Sequence, residues 1–188
     1  MELKRVVVTG LGTINPLGND VETTWENALA GKSGAGPITH FDVSLFKTKF
    51  GCEVKDFDPN DLFERKEARK YDRYSHFALQ AAKEAMEDSG LDLESENRDR
   101  IGVIFSAGIG GIRTFEEEVG SYYVNIDKGP RFNPFFIPKM IADIAAGHIS
   151  MIYGLRGPNY ATVSACASST NAIIDAFNLI RLNKANVI

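Results

Sequence analysis

Short apolar runs rich in β-branched residues alternate with amphipathic helical segments along this chain, and that alternation limits the possible folds most strongly. The sequence predicts three buried-type strands, at Lys4–Thr9, Ile101–Ser106 and Tyr160–Ser164. Apolar residues recur at helical spacing after Asp20, over about residues 71–89 and over Ala167–Leu182. Strands that alternate with helices are typical of proteins with a largely parallel sheet, so an α/β fold is expected.

Residues with strong conformational preferences predict where several elements begin and end. Asp20 can cap the first helix, Gly90 can close the second, and Pro138 suits the first position of a third. The helix over residues 167–182 has only a narrow polar stripe, so it is expected to be buried on most sides. Ala185–Ile188 begins a further strand, which suggests a chain that continues.

Composition and charge exclude several classes of protein. The chain has 188 residues, of which 44% are hydrophobic and 24% charged, as expected of one globular domain. The net charge of −4 disfavours a general nucleic-acid binder. The first apolar run is too short for a signal peptide, and no stretch approaches the roughly 18 apolar residues of a membrane-spanning helix. Because Cys52 and Cys166 are the only cysteines, a reduced cytoplasmic protein away from the membrane is expected.

The strongest local signal is the segment Thr162–Thr170, where a predicted strand leads directly into a helix and Cys166 lies at the junction. The first amide groups of a helix have no partners within it, and the helix dipole places partial positive charge there. A thiol at this point is expected to favour its nucleophilic thiolate form, and the amides can stabilise an oxyanion. From the residues alone, a buried structural cysteine explains the pattern equally well. Cys52 lacks such a setting and is interpreted as structural.

Three other patterns are assigned no catalytic or ligand-binding role. The segment Thr9–Asn15 lacks the third glycine of a dinucleotide-binding loop and the later acidic residue, so a tight turn is predicted. Gly31–Ser33 imitates the end of a phosphate-binding loop but lacks its first glycine and its strand. His40, His76 and His148 are scattered, so no metal site is predicted, and His148 is assigned to packing or hydrogen bonding.

A set of short motifs occurs in order along the chain: Val6–Gly12 with Pro16–Gly18, Phe105–Gly111, Asn133–Pro138, Ala146–Ser150, Tyr153–Pro158 and Ser164–Ser169. In these motifs the sequence resembles, over its whole length, the amino-terminal half of elongating β-ketoacyl-[acyl-carrier-protein] synthases, most closely the type II form. The resemblance implies a thiolase-like fold, in which two similar halves pack as α-β-α-β-α layers. Residues 1–188 would be the amino-terminal domain, with the carboxy-terminal half absent.

The resemblance also implies a reaction. An acyl chain moves to Cys166 as a thioester, and the carbanion formed by decarboxylation of malonyl-carrier protein attacks it to give a β-ketoacyl product. The implied partners are acyl carrier protein, whose acyl and malonyl groups are attached through 4′-phosphopantetheine, and a second copy in a homodimer; no cofactor is implied. The backbone amide of Cys166 would donate to the oxyanion. Two catalytic histidines, a lysine and a glycine-phenylalanine loop belong to the other half, so this chain alone is expected to be inactive.

The same resemblance implies which residues bind the acyl chain and the carrier protein. Gly108, Ile109, Phe135 and Phe136 would line acyl pockets, with Ile109 as a gate and Phe136 at the far end of the partner subunit's pocket. A basic cluster would receive the acidic carrier protein: Lys66, Arg69 and Lys70, with Arg131. Phe132 departs from the family, because a second basic residue is expected after Arg131.

Three alternatives remain open. A cysteine acyl hydrolase needs a base near Cys166, and His148 is the only candidate nearby in sequence. A thiolase or a chain-initiating synthase would use coenzyme A thioesters, whereas Ile109 and the Phe135–Phe136 pair favour long acyl chains on carrier protein. A non-catalytic subunit of the chain-length-factor kind would lack the nucleophile, and Cys166 speaks against it.

Overall fold

A computed structural model describes residues 3–188 of the chain, in which helices and loops surround short paired strands. The helices are α1 Val21–Leu29, α2 Arg65–Ala68, α3 Arg73–Ser89, α4 Ile112–Val124, α5 Phe136–Met140, α6 Ile144–Tyr153 and α7 Ser168–Arg181. The strands are β1 Gly36–Pro37, β2 Phe50–Gly51, β3 Val103–Ile104 and β4 Asn159–Tyr160. Turns of 3₁₀ helix occur at Pro59–Asp61, Arg98–Arg100, Ile126–Lys128 and Ala165–Ala167. No helix in these residues is long and apolar enough to span a membrane.

The core lies between helices α3 and α6 and the segment around strand β3. Its buried side chains form one cluster: Ala78, Leu79, Ile101, Val103, Ala145, Ala146, Ile149 and Leu155. The alanines of this cluster are fully buried, and their small side chains let α3 and α6 pack closely. Strand β3 pairs in parallel with β4, and Ile101 forms a parallel bridge with Val187. The predicted parallel pairing and the strand expected at Ala185–Ile188 therefore both have counterparts in the structure.

Two helix ends follow the local sequence signals. Asp20 caps α1 by accepting a hydrogen bond from the Thr23 amide at 2.6 Å. Gly90 closes α3 in the left-handed conformation, with a φ angle of 61° that residues with a Cβ rarely adopt. The limits of both helices therefore depend mainly on neighbouring residues in the chain.

The prediction of a buried strand at Lys4–Thr9 is wrong for the described residues. No segment within residues 3–188 pairs with this run, and its one backbone hydrogen bond to another part of the chain joins the Lys4 amide to the Arg181 carbonyl at 3.0 Å. The Val8 residue is 79% exposed. An apolar β-branched run does not form a strand by itself, because a strand needs a neighbour for its amide and carbonyl groups.

Pro138 does not begin the helix that reaches Tyr153. It lies inside α5, and the chain becomes extended at Ile141, with φ −66° and ψ 139°, before α6 begins. The reason is tertiary: the Tyr74 hydroxyl donates to the Ile141 carbonyl at 2.5 Å, and the Gly111 amide donates to the Met140 carbonyl at 2.9 Å. At the end of α5 the Met140 and Ile141 carbonyl groups therefore have partners in other elements, as carbonyls at a helix end require.

Helix α7 is less buried than its narrow polar stripe predicts. Only Ser168 and Ala172 are buried among its residues, and Ile173 is 71% exposed. The expectation of burial on most sides is therefore wrong within residues 3–188. Hydrophobic pattern indicates which face is able to pack, whereas burial also requires a neighbouring element on that face.

The chain around Gly12 lies directly on helix α3. A Cβ atom added at Gly12 would overlap with the Ala81 carbonyl oxygen. Beside it, the Glu84 carboxylate accepts hydrogen bonds from the amides of Thr13, at 2.9 Å, and Val21, at 2.7 Å. Close backbone packing on a helix therefore accounts for a glycine that otherwise imitates a nucleotide-binding loop.

Replacement of Gly12 tests this packing. The Gly12→Ala variant should lower the free energy of unfolding by about 1–3 kcal/mol, because the added methyl group meets fixed backbone. The matched variant Gly120→Ala, in an open part of α4, should be neutral or gain up to about 1 kcal/mol. Urea unfolding followed by circular dichroism measures both changes. Equal midpoints for the two variants would contradict the close approach.

Candidate functional site

Cys166 lies in the 3₁₀ turn Ala165–Ala167, which directly precedes helix α7, and it is exposed. Helix α7 begins at Ser168, one residue after the predicted start, but the strand predicted over Tyr160–Ser164 ends at Tyr160, so an irregular segment and not a strand leads into the turn. Ala165 has a φ angle of 50°, in the left-handed region that non-glycine residues rarely adopt. A conformation of this kind costs about 1–3 kcal/mol and persists only where other contacts hold it.

The two cysteines differ in setting but not in accessibility. Both are free and exposed, so neither fills core space, and the buried structural alternative for Cys166 is wrong. Cys52 follows strand β2 and is exposed, so its interpretation as a structural cysteine has no buried contact to support it. The backbone amide of Cys166 donates to no acceptor within residues 3–188. This amide is therefore available to an oxyanion formed beside the thiol.

The Ser168 side chain holds the cysteine turn in place. Its hydroxyl accepts a hydrogen bond from the Ser164 amide at 2.9 Å and donates to the Ala165 carbonyl at 2.7 Å. Ser168 is only 3% exposed, so water does not compete for these bonds. The Thr162 hydroxyl in turn donates to the Ser168 carbonyl at 2.9 Å. The positive φ angle of Ala165 is thereby held by hydrogen bonds on both sides of Cys166.

A second pair of hydroxyl groups ties this turn to the chain after strand β3. The Ser106 and Thr162 oxygens lie 2.7 Å apart, and the Thr162 amide donates to the Ser106 hydroxyl at 3.0 Å. Asn171 adds a hydrogen bond of 2.7 Å to the Ser164 hydroxyl. Sequence reasoning missed these roles, because it treated the residues around the cysteine only as small. The density of serine and threonine was the available signal, since such side chains commonly bond nearby backbone.

The glycine loop, residues 107–111, lies against the cysteine turn. A Cβ atom added at Gly108 would lie 3.6 Å from the Ala165 Cα atom, which is ordinary van der Waals contact. Ile109 follows with a side chain that is 67% exposed. The loop ends where the Gly111 amide donates to the Met140 carbonyl. The structure therefore brings Gly108 beside the turn that carries Cys166 and leaves Ile109 accessible.

Aromatic side chains form a stacked row beside helix α5. The rings of Phe132 and Phe136 lie 5.6 Å apart and 13° from parallel, and those of Tyr122 and Phe132 lie 5.4 Å apart at 22°. Phe115 approaches Phe136 at 6.3 Å from the other side. Phe135 is exposed and enters no ring pair among residues 3–188. Phe132, which replaces the expected basic residue, thus orders the aromatic side chain of Phe136.

The basic cluster is divided by its local contacts. Lys66 and Arg69 are exposed and form no ion pair within residues 3–188. Lys70 pairs with Glu67 at 2.6 Å, which neutralises part of its charge. Arg131 is exposed on the loop after α4. Of the predicted docking residues, Lys66, Arg69 and Arg131 therefore present the least compensated positive charge.

His148, the candidate base of the cysteine hydrolase alternative, lies in the core. His148 is buried, its ring centroid lies 4.5 Å from that of Tyr71, and its Nε2 atom has no hydrogen-bond partner within residues 3–188. Burial lowers its pKa, and burial raises the pKa of Tyr71 to about 12, with a further contribution from the hydrogen bond to Glu67. His148 forms no hydrogen bond to Cys166 within residues 3–188 and packs on the Tyr71 ring, so the structure supports a packing role for it.

Burial of His148 and His76 makes the fold sensitive to acid. Burial lowers the pKa of both imidazoles, so the folded chain favours their neutral forms, whereas the unfolded chain binds protons near the ordinary pKa of about 6.5. Their stabilisation is therefore present above about pH 6.5 and is lost as the pH falls toward 5.

The variants His148→Leu and His148→Phe test this effect. Both remove the titrating group, and the phenylalanine ring would keep an aromatic contact to Tyr71, so each should show a smaller loss of unfolding free energy between about pH 7 and pH 5. Urea unfolding at stepped pH values measures the slope. A slope equal to that of the unsubstituted protein in both variants would contradict the assignment.

Comparisons with known proteins identify the family and the fold. The family described as β-ketoacyl synthase, N-terminal domain, matches residues 3–188. The 3-oxoacyl-[acyl-carrier-protein] synthase 2 of Staphylococcus aureus (strain COL) is 46% identical over 184 residues, covering 97% of this chain and 44% of the relative. The protein of the same name from Synechocystis sp. (strain ATCC 27184 / PCC 6803 / Kazusa) is 47% identical over 182 residues, covering 96% and 43%. The chain therefore spans less than half the length of these curated relatives.

A solved structure with a similar fold is the AntDE:AntF complex, in which a type II polyketide acyl-carrier protein is bound to its ketosynthase. Its TM-score is 0.79 at 25% identity, covering 98% of this chain and 49% of that one. Ketosynthases of this kind have the thiolase fold, so the predicted fold class, an amino-terminal half of that α/β architecture, is confirmed.

Proposed function

The chain belongs to the β-ketoacyl synthase family, and from that membership we propose that it is the amino-terminal half of a 3-oxoacyl-[acyl-carrier-protein] synthase of fatty-acid elongation. The observation that carries the proposal is the exposed Cys166 in a strained turn at the start of α7, with its own amide unengaged within residues 3–188. This is the arrangement that a covalent acyl carrier needs: an accessible thiol and an oxyanion donor held at one point.

In the proposed first half-reaction, the Cys166 sulfur attacks the carbonyl carbon of the acyl thioester on acyl carrier protein. A new carbon–sulfur bond forms as the bond to the 4′-phosphopantetheine sulfur breaks, and that thiol leaves with a proton. The negative charge that develops on the carbonyl oxygen is stabilised by the Cys166 N–H. A single donor supplies part of this stabilisation, and the family resemblance assigns a second amide to the other half.

In the proposed second half-reaction, malonyl-carrier protein loses carbon dioxide, and the resulting carbanion attacks the thioester carbon. The Cys166 sulfur then leaves as thiolate and the β-ketoacyl product remains on the carrier. The family resemblance assigns the groups that would promote decarboxylation to the other half, and two of the three histidines here are buried: His148, and His76 with its Nε2 atom 2.9 Å from the Ala68 carbonyl. The activity therefore belongs to the whole protein, and this chain alone is expected to be inactive.

The acyl chain is proposed to pass along the glycine loop. Gly108 has no side chain where the loop meets the cysteine turn, which leaves room for an acyl chain next to the thioester. Ile109 presents an exposed apolar side chain at the same place and acts as the gate. Phe135 and Phe136 are proposed to line the end of the partner subunit's pocket, and the stacking on Phe132 supports a fixed position for Phe136.

Acyl carrier protein is proposed to dock on Lys66, Arg69 and Arg131, with Lys70 as a weaker contributor because it shares its charge with Glu67. A solved ketosynthase relative is in complex with an acyl-carrier protein, which supports a partner of this kind. The homodimer and a cytoplasmic location are part of the same proposal. An exposed thiol that must accept acyl groups has to remain reduced, as it does in the cytoplasm.

Substitution of the two cysteines tests the proposed reaction. The whole protein, given acyl-carrier protein and malonyl-carrier protein, should form a β-keto product and carry the acyl label on Cys166. The Cys166→Ala variant should lower condensation by at least about 10³-fold, because the thioester has no other acceptor. Mass spectrometry of the product and of the labelled peptides measures both.

The Cys52→Ala variant is the matched control and should keep full condensation activity. Label found only on Cys52, or condensation retained in Cys166→Ala, would contradict the proposal. Release of free fatty acid without a longer β-keto product would instead favour a hydrolase. A preference for coenzyme A thioesters over carrier-bound ones would favour a chain-initiating synthase.

Charge reversal tests the docking surface. The double variant Lys66→Glu with Arg69→Glu should raise the KM for acyl-carrier protein about tenfold at low salt and less at high salt, because salt screens exposed charges. Steady-state kinetics over a series of salt concentrations measures the change. The variant Lys32→Glu, at an exposed lysine elsewhere, is the control. A KM that does not depend on these two residues at any salt concentration would remove the assignment.

A further inference from the structure

Asp72 is a buried carboxylate that the proposed reaction does not use. It is 9% exposed and forms no ion pair within residues 3–188. It caps helix α3 by accepting a hydrogen bond from the Tyr74 amide at 3.1 Å. Burial of a carboxylate is costly unless other groups bond it, and although the charge of Asp72 favours the charged form of nearby Arg113, no ion pair to it forms within residues 3–188. One carboxylate oxygen of Asp72 accepts from the Tyr74 amide, and the other oxygen accepts from a different residue.

That partner lies in the first turn of helix α4. The Thr114 hydroxyl, in a residue that is 5% exposed, donates to Asp72 Oδ2 at 2.5 Å. A Cβ atom added at Gly111 would lie 3.1 Å from the same oxygen and would overlap with the Lys139 carbonyl. Asp72 thus contacts both the last residue of the glycine loop and the helix that follows the loop. A hydrogen bond to a carboxylate is stronger than one between neutral groups, and low exposure strengthens it further.

The other end of the glycine loop rests on the cysteine turn, where Gly108 meets Ala165. The loop is therefore held at two places: at Gly111, whose amide donates to the Met140 carbonyl and which lies against Asp72, and at Gly108, which packs on Ala165. Ile109 lies between these fixed points with its side chain exposed. Since glycines restrict the backbone least, the position of Ile109 depends on how firmly the ends are held.

We propose that Asp72 is a positioning residue for acyl transfer: through Thr114 and Gly111 it holds the glycine loop so that Ile109 directs a long acyl chain past the Cys166 thioester. This inference rests on the proposed function, since it takes Cys166 as acyl acceptor and Ile109 as pocket residue. A short acyl chain ends before Ile109 and is indifferent to the loop. A long chain has to pass Ile109, and a loosened loop misplaces it.

The hydroxyl of Thr114 provides the test. In the whole enzyme, Thr114→Val keeps the side-chain shape and removes the donor, whereas Thr114→Ser keeps the donor. Acylation of Cys166 is measured as kcat and KM with one short and one long acyl-carrier protein. For the long chain, Thr114→Val should lower kcat about tenfold, the factor that corresponds to loss of one hydrogen bond to a charged group, with KM nearly constant. For the short chain, kcat should change by less than about twofold, and Thr114→Ser should restore the long-chain rate.

Two further measurements separate positioning from general damage to the fold. The rate of Cys166 alkylation by iodoacetamide should be the same in all variants, because it reports only on the thiol. In an Ile109→Ala background, Thr114→Val should no longer discriminate between acyl lengths, because the side chain that the loop positions is gone. Asp72→Asn, which keeps the side-chain volume, is the second variant and should repeat the long-chain loss if Thr114→Val does not fold.

Failure of the Asp72 positioning role and failure of the proposed synthase function would give different results. If the unsubstituted enzyme does not acylate Cys166, the proposed function fails, and this inference fails with it. If the unsubstituted enzyme is acylated but Thr114→Val and Asp72→Asn treat both acyl lengths alike, only the positioning role is overturned. If these variants lose acylation and iodoacetamide alkylation to the same extent, the role of Asp72 is only that of a structural helix cap. Undiminished discrimination in the Ile109→Ala background would show that the effect does not pass through the loop.

Discussion

Helix α7 begins only after the chain has passed through a left-handed residue, Ala165, and the hydroxyl of Ser168 keeps that turn closed. The conformation costs about 1–3 kcal/mol, and the two hydrogen bonds of this buried hydroxyl contribute about 1 kcal/mol each, so they are of the size needed to offset it. The result is a cysteine that projects from the protein just before a helix instead of lying within one. Access to the sulfur and availability of its amide both depend on this turn.

The turn has its place in the molecule because β3 and β4 run in parallel. Parallel strands end at the same edge of a sheet, so the segments that leave them meet there. The glycine loop follows β3, and the cysteine turn follows β4. The hydrogen bond between Ser106 and Thr162 joins the two exits. The core beneath, packed between α3 and α6, holds β3, and through it sets the distance between the glycine loop and Cys166.

Local signals and tertiary ones differ in how far the sequence predicts them. The caps at Asp20 and Gly90 and the start of helix α7 just after Cys166 follow from residues within a few positions, and the sequence predicts all three, although the strand predicted over Tyr160–Ser164 ends at Tyr160. The break at Ile141 depends on the Tyr74 hydroxyl, 67 residues away, and no pattern near Pro138 contains it. Whether the run Lys4–Thr9 is a strand depends on a neighbour that an apolar run does not specify. The sequence allows Asp72 to be recognised as a helix cap. Its hydrogen bond to Thr114, 42 residues further along the chain, becomes apparent only in the folded structure.

Phe132 lies beside Arg131 of the proposed docking surface, where a basic side chain and an aromatic one would have different effects. A basic residue there would add to the attraction of an acidic partner over roughly the Debye length of 8 Å. An aromatic ring acts only at contact distance, and here it stacks between Tyr122 and Phe136. The chain therefore has less positive charge beside Arg131 and a more ordered Phe136. With Lys70 also paired to Glu67, the least compensated charge of the proposed docking surface comes from Lys66, Arg69 and Arg131, whereas the position of Phe136 depends on the stacked rings.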